Sequence, residues 1–166
     1  MLPQALLSHG AGTTFKILLP RALTPSEPPP PEGPPVTRGG TETVLVVEDD
    51  PRVRDLMCRT LRAVGYTVLE ATDGEGALSL ARDHGPVDLL LTDVVMPRVG
   101  GRELAAALSA EGRCARVLFV SGYTANAVVH RDLLDAGTAS LQKPFTPSGL
   151  LGRVRELLDR ARAPAP

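Results

Sequence analysis

Four places in this sequence of 166 residues join a short apolar run to a side chain that can handle charge. Glu48, Asp49 and Asp50 come directly after Thr43–Val47, Asp93 after Val87–Thr92, Ser121 after Arg116–Val120, and Lys143 after Ala139–Gln142. Any one of these would be an ordinary loop residue, and it is their joint occurrence that carries information. Crowded carboxylates repel one another and require a cation; an all-oxygen site of this kind suits Mg²⁺, which keeps some waters and uses one or two carboxylates plus phosphate oxygens. A carboxylate can also attack phosphorus to give an aspartyl phosphate. A metal then neutralises charge on the transferring group while an ammonium and a hydroxyl bind its remaining oxygens. In such chemistry Asp93 is the central carboxylate and the nucleophile.

The elements that must position these groups follow from periodicity. Thr43–Val47 is a continuous apolar run, the pattern of a strand buried on both faces. Pro51 then occupies a first-turn position, and Val53, Leu56, Met57, Thr60, Leu61 and Val64 form a helical stripe closed by Gly65 as the C′ residue. Further strands are expected over Tyr66–Ala71, Val87–Thr92, Arg116–Val120 and Ala139–Gln142. Helices are expected from Asp73-Gly74 to His84, from Arg102 to Ala110, from Ala125 to Ala136 and from Pro147 to Ala161. Five strands alternating with five helices imply an α/β doubly wound parallel sheet covered on both faces, with the crevice beyond the C-terminal strand ends. At this length the flavodoxin-like (βα)5 order 2-1-3-4-5 is the natural arrangement.

Composition bounds the rest. Apolar residues make up 43% but aromatics only 3%, so the core must be Leu, Val and Ala. A net charge of −1 and the lack of a basic patch or helix-turn-helix after the last helix point away from nucleic acid. No apolar run approaches the roughly 20 residues that span a bilayer, and a soluble, cytoplasmic protein without a membrane partner is expected. Cys58 and Cys114 sit in no metal-binding or redox spacing and read as buried thiols. Thr13–Leu19 reads as a short strand. Residues 21–40 read as a proline-rich linker, extended because proline fixes φ and removes a donor.

The segments VLVVEDDP (44–51), DLLLTDVVMPRVGG (88–101), VLFVSGYT (117–124) and LQKPF (141–145) together resemble the response-regulator receiver family of two-component signalling, in its order and spacing. The resemblance implies that Asp49 binds Mg²⁺ directly, that Glu48 is held through water, and that the Val95 carbonyl supplies another ligand. It implies that Asp93 takes phosphate from the phosphohistidine of a sensor histidine kinase or a histidine phosphotransfer protein. Ser121 is then the switch hydroxyl, Lys143 the phosphate-pairing cation, and the Lys143-Pro144 bond cis. Two positions depart from the common pattern. Glu48 replaces a frequent aspartate. Ser140 replaces an aromatic residue that normally moves with the switch hydroxyl, which puts the standard relay in doubt; Tyr123, in the SGYT segment, could supply a ring nearby.

The SGYT and LQKPF wording is most similar to receivers attached to hybrid sensor kinases. HGAGTTFKILLP (9–20) resembles the closing turn and strand of a histidine-kinase ATP-binding domain. Without the earlier nucleotide-binding boxes, neither ATP binding nor kinase activity is expected. The expected organisation is therefore a poorly ordered kinase-tail remnant over 1–20, the linker over 21–40, the receiver over 41–161 and a disordered tail over 162–166, as in a truncated or split hybrid kinase. With no output domain after Ala161, the signal is expected to pass by contact between proteins. Homodimers occur in the family, though no residue here fixes one. The competing reading is a phosphorylation-independent docking module on the same fold. A phosphohydrolase is disfavoured, because the position two residues after the nucleophile, where a general acid/base is needed, is the apolar Val95. Slow autodephosphorylation is the only turnover expected.

Overall fold

The computed structural model describes residues 4–7, 13–16, 39–122 and 139–160. In the N-terminal unit, strands β1 (Gln4–Leu7) and β2 (Thr13–Lys16) pair antiparallel, with Gln4 opposite Lys16. Strand β2 is the first part of the run expected over Thr13–Leu19, whereas β1 was not expected.

The second unit contains β3 (Thr43–Val47), α1 (Pro51–Arg62), β4 (Thr67–Ala71), α2 (Gly74–His84), β5 (Leu89–Asp93), α3 (Gly101–Ala110), β6 (Val117–Ser121), β7 (Ser140–Gln142) and α4 (Pro147–Arg160). The helix expected over 125–136, and Tyr123, lie outside the described residues. The five strands are parallel in the order β4-β3-β5-β6-β7. Counted from Thr43, that is the expected 2-1-3-4-5.

The apolar runs explain why the sheet has two covered faces. Successive strand side chains point to opposite sides. Leu45, Val47, Leu90 and Phe119 therefore join Ala77, Ala81, Leu104 and Leu108 of α2 and α3 in one cluster. Val44, Val46, Leu89, Leu91, Leu118 and Val120 join Met57 and Leu61 of α1 and Leu150, Val154 and Leu158 of α4 in the other. Each fully buried Leu or Val contributes about 1.5–3 kcal/mol relative to exposure. Both cysteines are buried and free; burial pushes the Cys58 thiol up to about 12, which leaves it inert.

The expected boundaries are corrected in informative ways. Leu56 of the anticipated α1 stripe is 44% exposed, and Cys58 takes an inward position instead. Helix α1 stops at Arg62 with Ala63 as its cap. Gly65 turns the chain two residues later at φ 99°. Asp93 and Ser121 do not follow their strands but are the last residues of them, paired in the ladder with Val120 and Gln142. Arg155 of α4 fastens the opposite end of the sheet, donating to Glu42 Oε1 at 2.8 Å and to Tyr66 Oη at 3.3 Å.

One close approach matters for the strand ends. Helix α3 begins so near the end of β5 that a Cβ on Gly101 would lie 2.0 Å from the Asp93 carbonyl oxygen, whereas one on Gly100 would meet Val94 O at 3.5 Å. Gly101→Ala is expected to cost about 1–3 kcal/mol, as overpacking against backbone does, and Gly100→Ala about 0.5 kcal/mol or less. Urea denaturation of the two variants checks the contrast.

Candidate functional site

Two strand ends, of β5 and β6, and two strand exits, from β3 and β7, place the polar groups. Glu48 leaves β3 with its side chain buried at 1% exposure, and its N–H bonds the Ala71 carbonyl of β4 at 3.3 Å. Asp49 follows, exposed. Carboxylate oxygens of Glu48, Asp49 and Asp93 all lie within 4.8 Å of one another. Lys143 reaches them from the end of β7. Its Nζ donates to Glu48 Oε1 and Oε2 at 2.8 and 2.7 Å and to Asp93 Oδ2 at 2.6 Å. The other Asp93 oxygen, Oδ1, accepts the Val95 N–H at 2.9 Å, so both ends of this carboxylate are oriented.

Ser121 is 2% exposed at the end of β6, and its carbonyl accepts the Lys143 N–H at 2.8 Å. This bond holds the base of the lysine against β6, just before the cis Lys143-Pro144 peptide. Val95 is 62% exposed, standing out from the loop after Asp93. Ser140 opens β7, half-buried and paired with Phe119; Arg153 Nη2 donates to its carbonyl at 3.4 Å. Thus Glu48, Asp49, Asp93 and Lys143 are brought into one cluster, with Val95 and Ser121 attached to it through backbone groups. Ser140 stands at the other end of its short strand.

Asp50 has a different occupation from its two neighbours. Its carboxylate caps α1, accepting the Arg52 and Val53 N–H groups at 2.8 and 3.2 Å, and these bonds hold it below the usual carboxylate range. The sequence signal was available, since Asp immediately before Pro at N1 is a helix-start pattern. Arg54 and Thr92 were not anticipated. Arg54 Nη1 donates to the Glu48 carbonyl at 2.8 Å, and Thr92 Oγ1 donates to the Asp93 carbonyl at 3.0 Å. Both brace backbone rather than the reacting groups, and no spacing in the sequence marks them.

The electrostatics follow from burial and pairing. Burial pushes the Glu48 carboxyl above the usual range, and the bonds from Lys143 offset this only in part. Burial works against the Lys143 charge, but its bonds to Asp93 and Glu48 outweigh it and hold the ammonium above the ordinary lysine range. Three carboxylates face one ammonium, so their full ionisation leaves a surplus of two negative charges. A hard divalent cation with oxygen ligands fits that charge and that donor set.

Lys143→Ala removes the ammonium bonded to Glu48 and Asp93. It is expected to destabilise the fold by about 2–3 kcal/mol near neutral pH, less than a fully buried pair because the lysine is partly solvated. A buried carboxyl with a raised pKa favours the protonated native state, so stability falls as pH rises through it. Loss of Lys143 raises the Glu48 pKa further. The deficit should therefore shrink toward about pH 5, and added Mg²⁺ should reduce it near neutrality. Denaturant titrations at the two pH values, with and without the metal, measure both effects.

The response regulator receiver domain family matches residues 44–155. The chain is 36% identical to the sensor kinase CckA of Brucella abortus over 91% of its own length and 17% of that protein's. It is 40% identical to the response regulator MprA of Mycobacterium ulcerans, over 72% of this chain and 51% of the relative. The chain thus spans about a sixth and about half of these relatives. Among solved structures, the receiver domain of the hybrid histidine kinase CckA superposes with a TM-score of 0.56 at 38% identity, covering 70% of this chain and 98% of that one. With the matched family, the parallel 2-1-3-4-5 sheet and the acidic cluster at its C-terminal edge, the chain belongs to the response regulator receiver domain family of two-component signalling.

Proposed function

We propose that Asp93 accepts a phosphoryl group from the phosphohistidine of a sensor histidine kinase or a histidine phosphotransfer protein, and that the modification switches a protein-interaction surface. The observation that carries this reading is the placement of Asp93 Oδ2 on Lys143 Nζ at 2.6 Å, inside a set of three carboxylates. In the transfer the P–N bond to histidine breaks as a P–O bond to Asp93 forms, and the imidazole leaves with the bonding electrons. Val95 N–H holds the acceptor carboxylate in one orientation. Lys143, already bonded to Asp93, pairs with an oxygen of the arriving group, and the Ser121 hydroxyl takes another.

Asp49, Asp93 and the Val95 carbonyl would hold Mg²⁺ directly, with Glu48 acting through water. The ion would offset the charge of the transferring group. Phosphorylation adds about 1.5–2 negative charges, which draws Ser121 and Lys143 inward. Ser140 offers no ring to follow that movement, so the readout runs through other side chains than the usual aromatic one.

We read residues 1–20 as a remnant of a kinase ATP-binding domain, 21–40 as a linker, 41–161 as the receiver and 162–166 as a tail. The alignment with the sensor kinase leaves only about 15 residues of this chain unmatched, so it takes in part of the first 40. The antiparallel pairing of β1 and β2 also supports this reading.

Incubation with Mg²⁺ and acetyl phosphate, followed by intact-mass measurement, tests the proposal. One phosphoryl adduct, stable to acid and labile to base, is expected on the native chain and none on Asp93→Asn. A native chain that takes no adduct from acetyl phosphate or from a phosphorylated histidine phosphotransfer protein would instead favour a phosphorylation-independent docking module.

A further inference from the structure

The loop between β5 and α3 carries Val95, whose N–H orients Asp93, yet it contains a backbone conformation that its sequence does not favour. Arg98 has φ 67°, and Val99 N–H bonds back to the Pro97 carbonyl at 2.9 Å. A bond from residue i+2 to i around a central residue of positive φ is the classic γ-turn, which is rare and strained. Glycine meets such a φ without cost. Arginine does not, and something outside the backbone must hold it there.

The side chain supplies that hold. Arg98 Nη2 donates to Asp73 Oδ2 at 2.7 Å, and Nη1 pairs with Glu75 Oε2 at 3.1 Å. Asp73 is itself fixed, because its other oxygen accepts the Gly76 N–H at 2.9 Å as the N-cap of α2. The guanidinium therefore ties the loop to the first turn of a helix. A second contact, independent of charge, joins the same two elements: a Cβ on Gly74 would lie 2.7 Å from Val99 Cβ and 2.9 Å from Val99 O. At its far end the loop is closed by Gly101 N–H on the Val94 carbonyl at 3.2 Å. Residues 94–101 are thus pinned at Val94, at Arg98 and at Val99, and Val95 lies within the pinned segment.

We infer that Arg98 is a positioning residue for the phosphoacceptor: by bracing the γ-turn against Asp73 and Glu75, it holds Val95 where its N–H orients the Asp93 carboxylate and from where its carbonyl would serve as a ligand to a bound cation. The inference rests on the functional reading of Asp93 given above. It adds a role for residues 25 positions apart in sequence, Asp73 and Arg98, neither of which touches the reacting atoms. Removing the bracket should loosen Val95 without unfolding the domain, since glycine at position 98 also relieves the strained φ.

Three variants of the full chain separate this role from plain stability. Arg98→Gly removes the bracket and the strain together, Arg98→Lys keeps a cation at the same strained position, and Asp73→Asn keeps an N-cap while weakening the pair. For Arg98→Gly the thermal midpoint should stay at or above that of the native chain. Amide exchange at Val95, followed by NMR without metal, should accelerate at least fivefold, and calorimetric Mg²⁺ affinity should fall by a similar factor. Arg98→Lys should recover most of both losses, and Asp73→Asn should reproduce part of them in the native background but add nothing to Arg98→Gly. Exchange and Mg²⁺ affinity in Arg98→Gly within twofold of native values would overturn the inference while leaving Asp93 phosphorylation intact. A native chain that neither binds Mg²⁺ nor takes phosphate from acetyl phosphate would overturn the functional reading, and this inference with it.

Discussion

The strand-end cluster depends on one ammonium group. Lys143 lies between the buried carboxylate of Glu48 and the partly solvated one of Asp93, which arrive on neighbouring strands β3 and β5. Without a cation those groups and Asp49 would repel across less than 5 Å, and Glu48 would be driven to bind a proton. The lysine comes from β7, so it must pass the end of β6, which closes with the small residue Ser121 and is followed by Gly122. Strand order, small side chains on the intervening strand and the backbone bond from Lys143 to Ser121 are therefore parts of one arrangement. They deliver a single positive charge to a place that several negative charges have made unfavourable for anything else.

The same arrangement leaves the charge balance unfinished. One ammonium cannot neutralise three carboxylates, and the shortfall is what makes the site receptive to a divalent ion. Native stability and affinity for a ligand here draw on the same electrostatic imbalance. A better-compensated cluster, with a second lysine or one carboxylate fewer, would be a more comfortable structure and a poorer cation site.

Much of this was legible in the sequence because the signals are short-range. Short strand-like runs named the five strands, and polar residues after four of them marked the edge where chemistry gathers. Asp93 and Lys143 could be picked out because they occur together with Glu48, Asp49 and Ser121 after four such runs, where any one alone would be an ordinary loop residue. What the sequence left unread is long-range or conformational. The tie from Arg155 to Glu42 spans 113 residues and leaves no periodic trace. Leu56 fitted a helical stripe by spacing, yet it faces solvent because the inward arc of α1 is centred on Met57, Cys58 and Leu61. Asp50 looked like a third member of the acidic group, and its local bonds to the α1 amides took it elsewhere. Arg98 gave no warning of a positive φ, since arginine carries none of the preference that glycine or asparagine would have shown.

The ladder pairing of Asp93 and Ser121 has a mechanical consequence. Both sit on the last rungs of central strands: each is paired on one side, Asp93 with Val120 and Ser121 with Gln142, while the residues just before them, Thr92 and Val120, are paired on two. Any response must be taken up by side-chain rotation and by the loops that leave the sheet. The sheet then works as a rigid bench, and whatever travels from this edge to a distant surface must go around it rather than through it.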